Sequence, residues 1–232
     1  MSININKYIA QAGIASRRGA DELVKAGRVK INEKVAILIH KVGPKDKVFV
    51  DNKEIKPLSK KVYLAFHKPV GVICTTDVNS PNNIIDHIKY PTRIFPVGRL
   101  DVNSQGLILL TNDGDLAQSV MKNKKIEKEY IVNVDKELDE AVITGLGNGT
   151  VVIDGFPVLP AKVEKLTPRS FKIVIVEGRN RQIRRMCEAF RFNVTKLVRT
   201  RIGHVLLEGI KESKYVEIAE KDILTALGLD KS

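Results

Sequence analysis

Apolar residues near the start of the chain recur at helical spacing. Ile5, Tyr8, Ile9 and Ala12 fall on one face, so residues 3–15 predict a short helix that Gly13 ends. Ser16 then has the place and chemistry of a cap for a second helix, from Arg17 to about Lys25, stopped by Gly27. The period next drops to that of strands at 29–32, 35–39 and 48–50, with turn signals at Asn32-Glu33-Lys34 and Val42-Gly43-Pro44. Pro57 to Lys61 reads as a linker, and a new apolar strand begins at Val62 and runs to Phe66. Beyond it, 107–110, 130–134 and 171–176 predict strands, while 115–122, 181–190 and 221–227 predict helices. The order gives an α+β chain of two domains: a small one at 1–59, and a larger one at 60–232 built on a mixed, largely antiparallel sheet flanked by helices.

With 232 residues there is enough chain for one large core or two smaller ones. No apolar run approaches the roughly 20 residues that span a bilayer, and the N-terminus carries no signal-peptide core, so a cytoplasmic protein is expected. Cys74 and Cys187 are too few and too far apart for a disulfide framework or a metal site. Cys74 is expected to be buried in its apolar stretch; Cys187, inside an arginine-rich helix, has either a lowered pKa or an incidental buried place. The net charge of +12 points to a polyanionic partner. Its distribution sharpens this: between Gly178 and Arg201 there are eight basic residues, seven of them arginine, against Glu188 alone. Arginine suits bidentate phosphate contacts, whereas solvating charge is more often lysine mixed with glutamate.

Three segments could carry chemistry. Gly98 to Asp115 sets Arg99 two residues before Asp101 in a glycine-bounded polar loop that leads into an apolar strand. This is a functional carboxylate or an Arg–Asp pair stapling a turn, and the local pattern does not choose. In Glu177-Gly178-Arg179-Asn180-Arg181-Gln182-Ile183-Arg184-Arg185-Met186 a strand gives way to a helix whose Arg181, Arg184 and Arg185 are three or four apart, predicting one shared basic face. Lys128-Glu129-Tyr130 opens a strand, where the tyrosine either stacks on a base or packs at an edge.

These segments together, in this order, resemble the pseudouridine synthases that modify small- and large-subunit ribosomal RNA. Asn6-Lys7-Tyr8-Ile9 with Ser16-Arg17-Arg18 is similar to the small RNA-binding domain named after ribosomal protein S4. The likeness covers nearly the whole chain. The stretches Asp101 to Leu107 and Glu127 to Asp135 look most like a member acting on 23S ribosomal RNA and also on a tRNA. A long basic C-terminal tail, which some large-subunit members carry, is lacking.

The resemblance implies an isomerase that breaks the ribose C1′–N1 bond, turns the uracil and rejoins it through C5. Such a rearrangement needs no redox cofactor, metal or nucleotide. It implies Asp101 as the catalytic carboxylate, nucleophile or base, with Arg184 paired to it and favouring its ionised form. Tyr130 would stack on the uracil and serve the final proton removal. Ile183 and Leu100 would wall the pocket, and Arg99 would fill the gap left by the flipped uridine. RNA phosphates would fall to Arg179, Arg181 and Arg185, and in the small domain to Lys7, Arg17, Arg18 and Lys34. Residues 1–56 hold twelve basic and six acidic side chains, which suits that task. RNA is thus the expected partner, with the protein a monomer. The rival readings are a non-catalytic S4-type ribosome-associated RNA-binding protein and a basic DNA-binding protein. The first has no need of Asp101, Tyr130 and Arg184 together; the second lacks a helix-turn-helix pair outside the small domain and a zipper.

Overall fold

The computed structural model describes residues 2–77 and 79–230. It divides the chain into two compact units: residues up to Lys61 with Pro91–Arg93 and Asn112–Gly114, and Val62–Tyr90, Ile94–Thr111 and the chain from Asp115 onward.

The first unit runs β1 (Ile3–Asn4), α1 (Ile5–Gln11), α2 (Arg17–Lys25), β2 (Val29–Ile31), β3 (Lys34–Val35), β4 (Lys41–Val42), β5 (Val48–Val50) and β6 (Lys53–Ile55). Ile5 and Ile9 of α1 pack on Ala20 and Val24 of α2 and on Val29, Val42 and Val48 of the strands, forming one small core. The Ser16 side chain accepts the Gly19 amide at 3.0 Å, as its capping position predicts. Two expectations change. Ile3 and Asn4 leave the helix to pair with β4. The strand expected over 35–39 shrinks to β3, because β2 offers partners only to Lys34 and Val35. Ile37, Leu38 and Ile39 then run exposed into a turn closed by the His40 amide on the Ile37 carbonyl.

The second unit continues with β7 (Tyr63–Lys68), α3 (Ile84–Ile88), β8 (Phe95–Pro96), β9 (Gln105–Thr111), α4 (Gly114–Lys122), β10 (Lys128–Val134) and α5 (Glu140–Gly147). Then come β11 (Val152–Ile153), β12 (Phe156–Pro157), β13 (Lys162–Thr167), β14 (Ser170–Ile175), α6 (Gln182–Ala189), β15 (Val194–Ile202), β16 (Val205–Leu206), β17 (Tyr215–Glu217) and α7 (Glu220–Ala226). The main sheet has the order β13-β14-β10-β15-β9-β7-β17, with β16 on β15 and β8 on β9.

Alternation along the central strands feeds two cores. Leu64, Phe66, Ile108 and Leu110 join a core with Ile84 of α3, Leu146 of α5, and Ile183 and Met186 of α6. Tyr63, Ala65, Leu107 and Leu109 join the other, with Leu116 and Val120 of α4 and Ile223 of α7. A strand covered on both sides reads as a continuous apolar run, which is why 107–110 shows no period-two signal.

Strand pairing in this sheet is antiparallel except between β9 and β15, where Val198 faces Gln105 and Arg199 faces Gly106. Gly106 has φ +113°, and a Cβ there would lie 2.3 Å from the Arg199 carbonyl oxygen and 2.6 Å from its amide nitrogen. Neither backbone atom has room to retreat inside the sheet. Gly106→Ala should therefore destabilise the fold by roughly 2–4 kcal/mol, adding backbone strain to overpacking. Chemical denaturation should report it; a midpoint equal to wild type would contradict the tight seam.

Candidate active site

Asp101 stands in the loop that feeds β9. Backbone bonds set the loop: the Ser104 amide donates to the Asp101 carbonyl at 3.0 Å, and the Gly71 amide to the Val102 carbonyl at 2.8 Å. The Leu100 amide rests 3.4 Å from the Cys74 sulfur. Arg184, on α6, binds the loop from beneath. Its Nη2 donates to the Asn103 carbonyl at 2.7 Å and to Ser104 Oγ at 3.2 Å, and its Nη1 to the Val194 carbonyl at 3.0 Å. Its Nε lies 3.8 Å from Asp101 Oδ2, an ion pair longer than a hydrogen bond. Arg184 is thus both the charge partner of the carboxylate and the clamp on its loop.

A cleft of about 920 Å³ opens over this loop, lined among others by Arg99, Leu100, Asp101, Tyr130, Ile183 and Arg199. The catalytic and pocket residues expected from the sequence therefore gather at one place, Arg184 supporting the loop from behind. Tyr130 is buried on β10, and its hydroxyl lies 3.5 Å from Arg199 Nη1. Arg99 is exposed at the opening. Seven basic residues line the cleft (Arg99, Lys122, Lys124, Lys128, Arg179, Arg181, Arg199) against the carboxylates Asp101 and Glu177, so its field is positive.

The expected basic face on α6 does not exist. Arg181 precedes the helix as an exposed residue in the left-handed region (φ 49°), Arg184 is buried, and Arg185 is engaged by Asp154 through two bonds of 2.9 and 2.7 Å. The helix turns most of its circumference into the core, leaving no side for three arginines. Arg179 lines the cleft, but its guanidinium donates to the carbonyls of Ile153, Phe156 and Pro157 and so ties down the β11–β12 hairpin. In the first unit Arg17, Arg18 and Lys34 are exposed, while Lys7 is half-buried.

Sequence reasoning missed Lys68 and gave Arg199 no role of its own. Lys68 is fully buried, its ammonium donating to the carbonyls of Pro69 and Val72 at 2.9 Å each. Burial holds its pKa below the ordinary lysine value, partly offset by Cys74 and Asp101. A lysine that ends an apolar strand and precedes a proline turn was the available signal. In the sequence Arg199 stands out only as one of a basic cluster. It is 3% exposed, with Nε donating to the Leu107 carbonyl at 2.6 Å. Burial lowers Lys128 as well, with Arg199 adding to the shift. Cys74, expected to be buried, is half-buried and lines the cleft.

A protein-family model described as RNA pseudouridylate synthase matches residues 62–189, and that of the S4 domain matches residues 4–48. The chain is 42% identical over 226 residues to the dual-specificity RNA pseudouridine synthase RluF of Escherichia coli (strain K12), covering 96% of this chain and 78% of that protein. It is 36% identical over 229 residues to the ribosomal large subunit pseudouridine synthase B of Bacillus subtilis (strain 168), covering 94% and 93%. A crystal structure of a pseudouridylate synthase superimposes with a TM-score of 0.71 at 28% identity, covering 97% of this chain and all of that one.

Cys187 does not take the lowered pKa that its arginine neighbours could have given it. Burial, then Glu188, pushes its thiol up to about 12 against the pull of Arg184. At neutral pH iodoacetamide should leave Cys187 unmodified in the folded protein and label it after denaturation. Mass spectrometry of the two samples checks this; rapid native labelling of Cys187 would contradict the packing of α6.

Proposed function

Since the chain belongs to the RNA pseudouridylate synthase family and is an isomerase of uridine in RNA, we propose that it acts on 23S ribosomal RNA, with a tRNA as a second substrate, through Asp101. The dual-specificity and large-subunit names of its relatives support this choice of RNAs. The observation that carries the site is Asp101 held in a positive cleft with the Arg184 guanidinium 3.8 Å away and Tyr130 lining the same space.

The mechanism follows from that placement. A uridine leaves its stack and enters the cleft, and Arg99 at the opening fills the vacated position. The cost of flipping, a few kcal/mol, is offset by contacts inside. Asp101 then acts on the sugar or the base as the C1′–N1 bond breaks. The uracil turns against Tyr130, C5 bonds to C1′, the C5 proton is lost and N1 gains one. Leu100 and Ile183 wall the site with apolar surface, which strengthens electrostatic interactions within it. Arg184 keeps the carboxylate in place by bonding its loop at two acceptors and tying it to Val194 at the start of β15.

The S4 domain supplies affinity, with Arg17, Arg18, Lys34 and Lys7 as phosphate contacts. In the second unit the exposed Arg181 takes the same role, while Arg179 and Arg185 meet the backbone only alongside their internal bonds. The protein works as a cytoplasmic monomer; among the described residues no helix is long and apolar enough to cross a membrane.

Asp101→Asn preserves shape and removes the charge. It should abolish pseudouridine formation in a chemical-labelling assay while RNA affinity stays within about threefold of wild type, since only uniform binding contacts remain. Substantial turnover would remove Asp101 from the mechanism. Removing residues 1–56 should flatten the salt dependence of binding by roughly 3 in the slope of log K against log salt, for four phosphate contacts at about −0.7 each. An unchanged slope would mean that the S4 domain does not touch RNA phosphates.

A further inference from the structure

We propose that Arg199 contacts the substrate: its Nη2 donates to a carbonyl oxygen of the flipped uracil and holds the negative charge that reaches the ring when the glycosidic bond breaks. The proposal rests on the reading that the Asp101 cleft receives the uridine.

Arg199 lines that cleft while being 97% buried. Its guanidinium plane is fixed by Nε on the Leu107 carbonyl, and Nη1 lies 3.5 Å from the Tyr130 hydroxyl. Nη2 is buried and has no hydrogen-bond partner. A charged donor left unsatisfied in a buried place calls for an acceptor that arrives from outside the protein. Among the described residues, the other buried guanidinium nitrogen without a hydrogen bond, Arg184 Nε, already faces the Asp101 carboxylate. Among the described residues no carboxylate forms an ion pair with Arg199.

The reaction supplies such an acceptor. When C1′–N1 breaks, its electron pair passes to the uracil and spreads over N1, O2, C5 and O4. C1′ is taken by the carboxylate or compensated by loss of a sugar proton. The charge persists while the ring turns, and it is discharged when C5 bonds C1′; the C5 proton then leaves and N1 takes up a proton. A guanidinium stays cationic throughout at neutral pH. Fixed in a site of low dielectric, it stabilises the uracil anion more than the neutral ring and so lowers the barrier.

A purely structural arginine, one that only rivets β9 to Tyr130, makes a different prediction. Substrate RNAs carrying uridine, 2-thiouridine or 4-thiouridine at the target are compared in single turnover at saturating enzyme, with RNA affinity measured in parallel. Sulfur is a poor acceptor, so substitution at the contacted oxygen removes the bond. Arg199→Met should react with uridine about a hundredfold more slowly than wild type, as for loss of one oxyanion donor, with affinity nearly unchanged. For one of the two thio-substrates, the thio effect seen in wild type should shrink by roughly tenfold in Arg199→Met, the size of one lost charged hydrogen bond. Thio effects of equal size in both enzymes, at both positions, would overturn the proposal. If circular dichroism shows that Arg199→Met is unfolded, Arg199→Lys undergoes the same comparison and is judged by the same coupling. Turnover by Asp101→Asn would strike the underlying reading instead, independently of any thio effect.

Discussion

The second unit depends on how closely two strands approach. β9 and β15 run parallel in a sheet whose other pairs are antiparallel, and Arg199 meets Gly106 where they touch. No side chain but hydrogen fits between them. The seam unites two groups of strands, β13, β14 and β10 on one side, β7 and β17 on the other. It also decides where the chemistry sits. The Asp101 loop ends at the first residue of β9, and Tyr130 pairs with Arg199 across β10 and β15. Carboxylate, phenol and guanidinium thus come from three neighbouring strands or their ends, and the spacing of the ladder, not a flexible loop alone, fixes the distances among them.

Arginine in this chain does more holding than its abundance in an RNA enzyme suggests. Arg184 clamps the Asp101 loop, Arg179 the β11–β12 hairpin, and Arg201 joins the Gly203 carbonyl to Glu127 and Glu129. A guanidinium offers five donors in one plane, so it can gather several carbonyls that would otherwise be left unsatisfied where strands give way to loops. Lysine cannot span them in the same way. Lys68 still binds two carbonyls, but those of a single turn. The exposed cations that remain around the cleft are then fewer and more localised than the total charge implies.

Where the sequence was legible, one physical signal dominated. Ser16 and Gly27 bounded α2, and the buried runs at 62–66 and 107–110 marked β7 and β9. Asp101, Tyr130 and Ile183 were singled out through ordered motifs, and the structure brings them to one cleft, whereas local pattern left each of them ambiguous. What escaped had mixed signals. β13 is an edge strand with mostly exposed, polar side chains, so nothing alternates. β15, the longest strand, carries a buried arginine at a core position and looked like a basic segment. α3 is five residues long, and its boundary rests on Asn83 accepting the amides of Ile85 and Asp86. Whether an arginine faces water or a carbonyl is decided by partners far along the chain, such as Asn103 for Arg184, which no local window contains.

The imbalance of charge around the cleft has a consequence for the fold itself. Seven cationic side chains face two carboxylates, and Lys68 and Lys128 sit where burial already disfavours their charge. Positive charge is therefore concentrated next to the central seam. A polyanion that enters neutralises it, and anything that binds only the native state adds to its stability by mass action. Folding and substrate occupancy are thermodynamically linked in this molecule: its conformational stability is a function of how much RNA surrounds it, and is lowest when the protein stands alone.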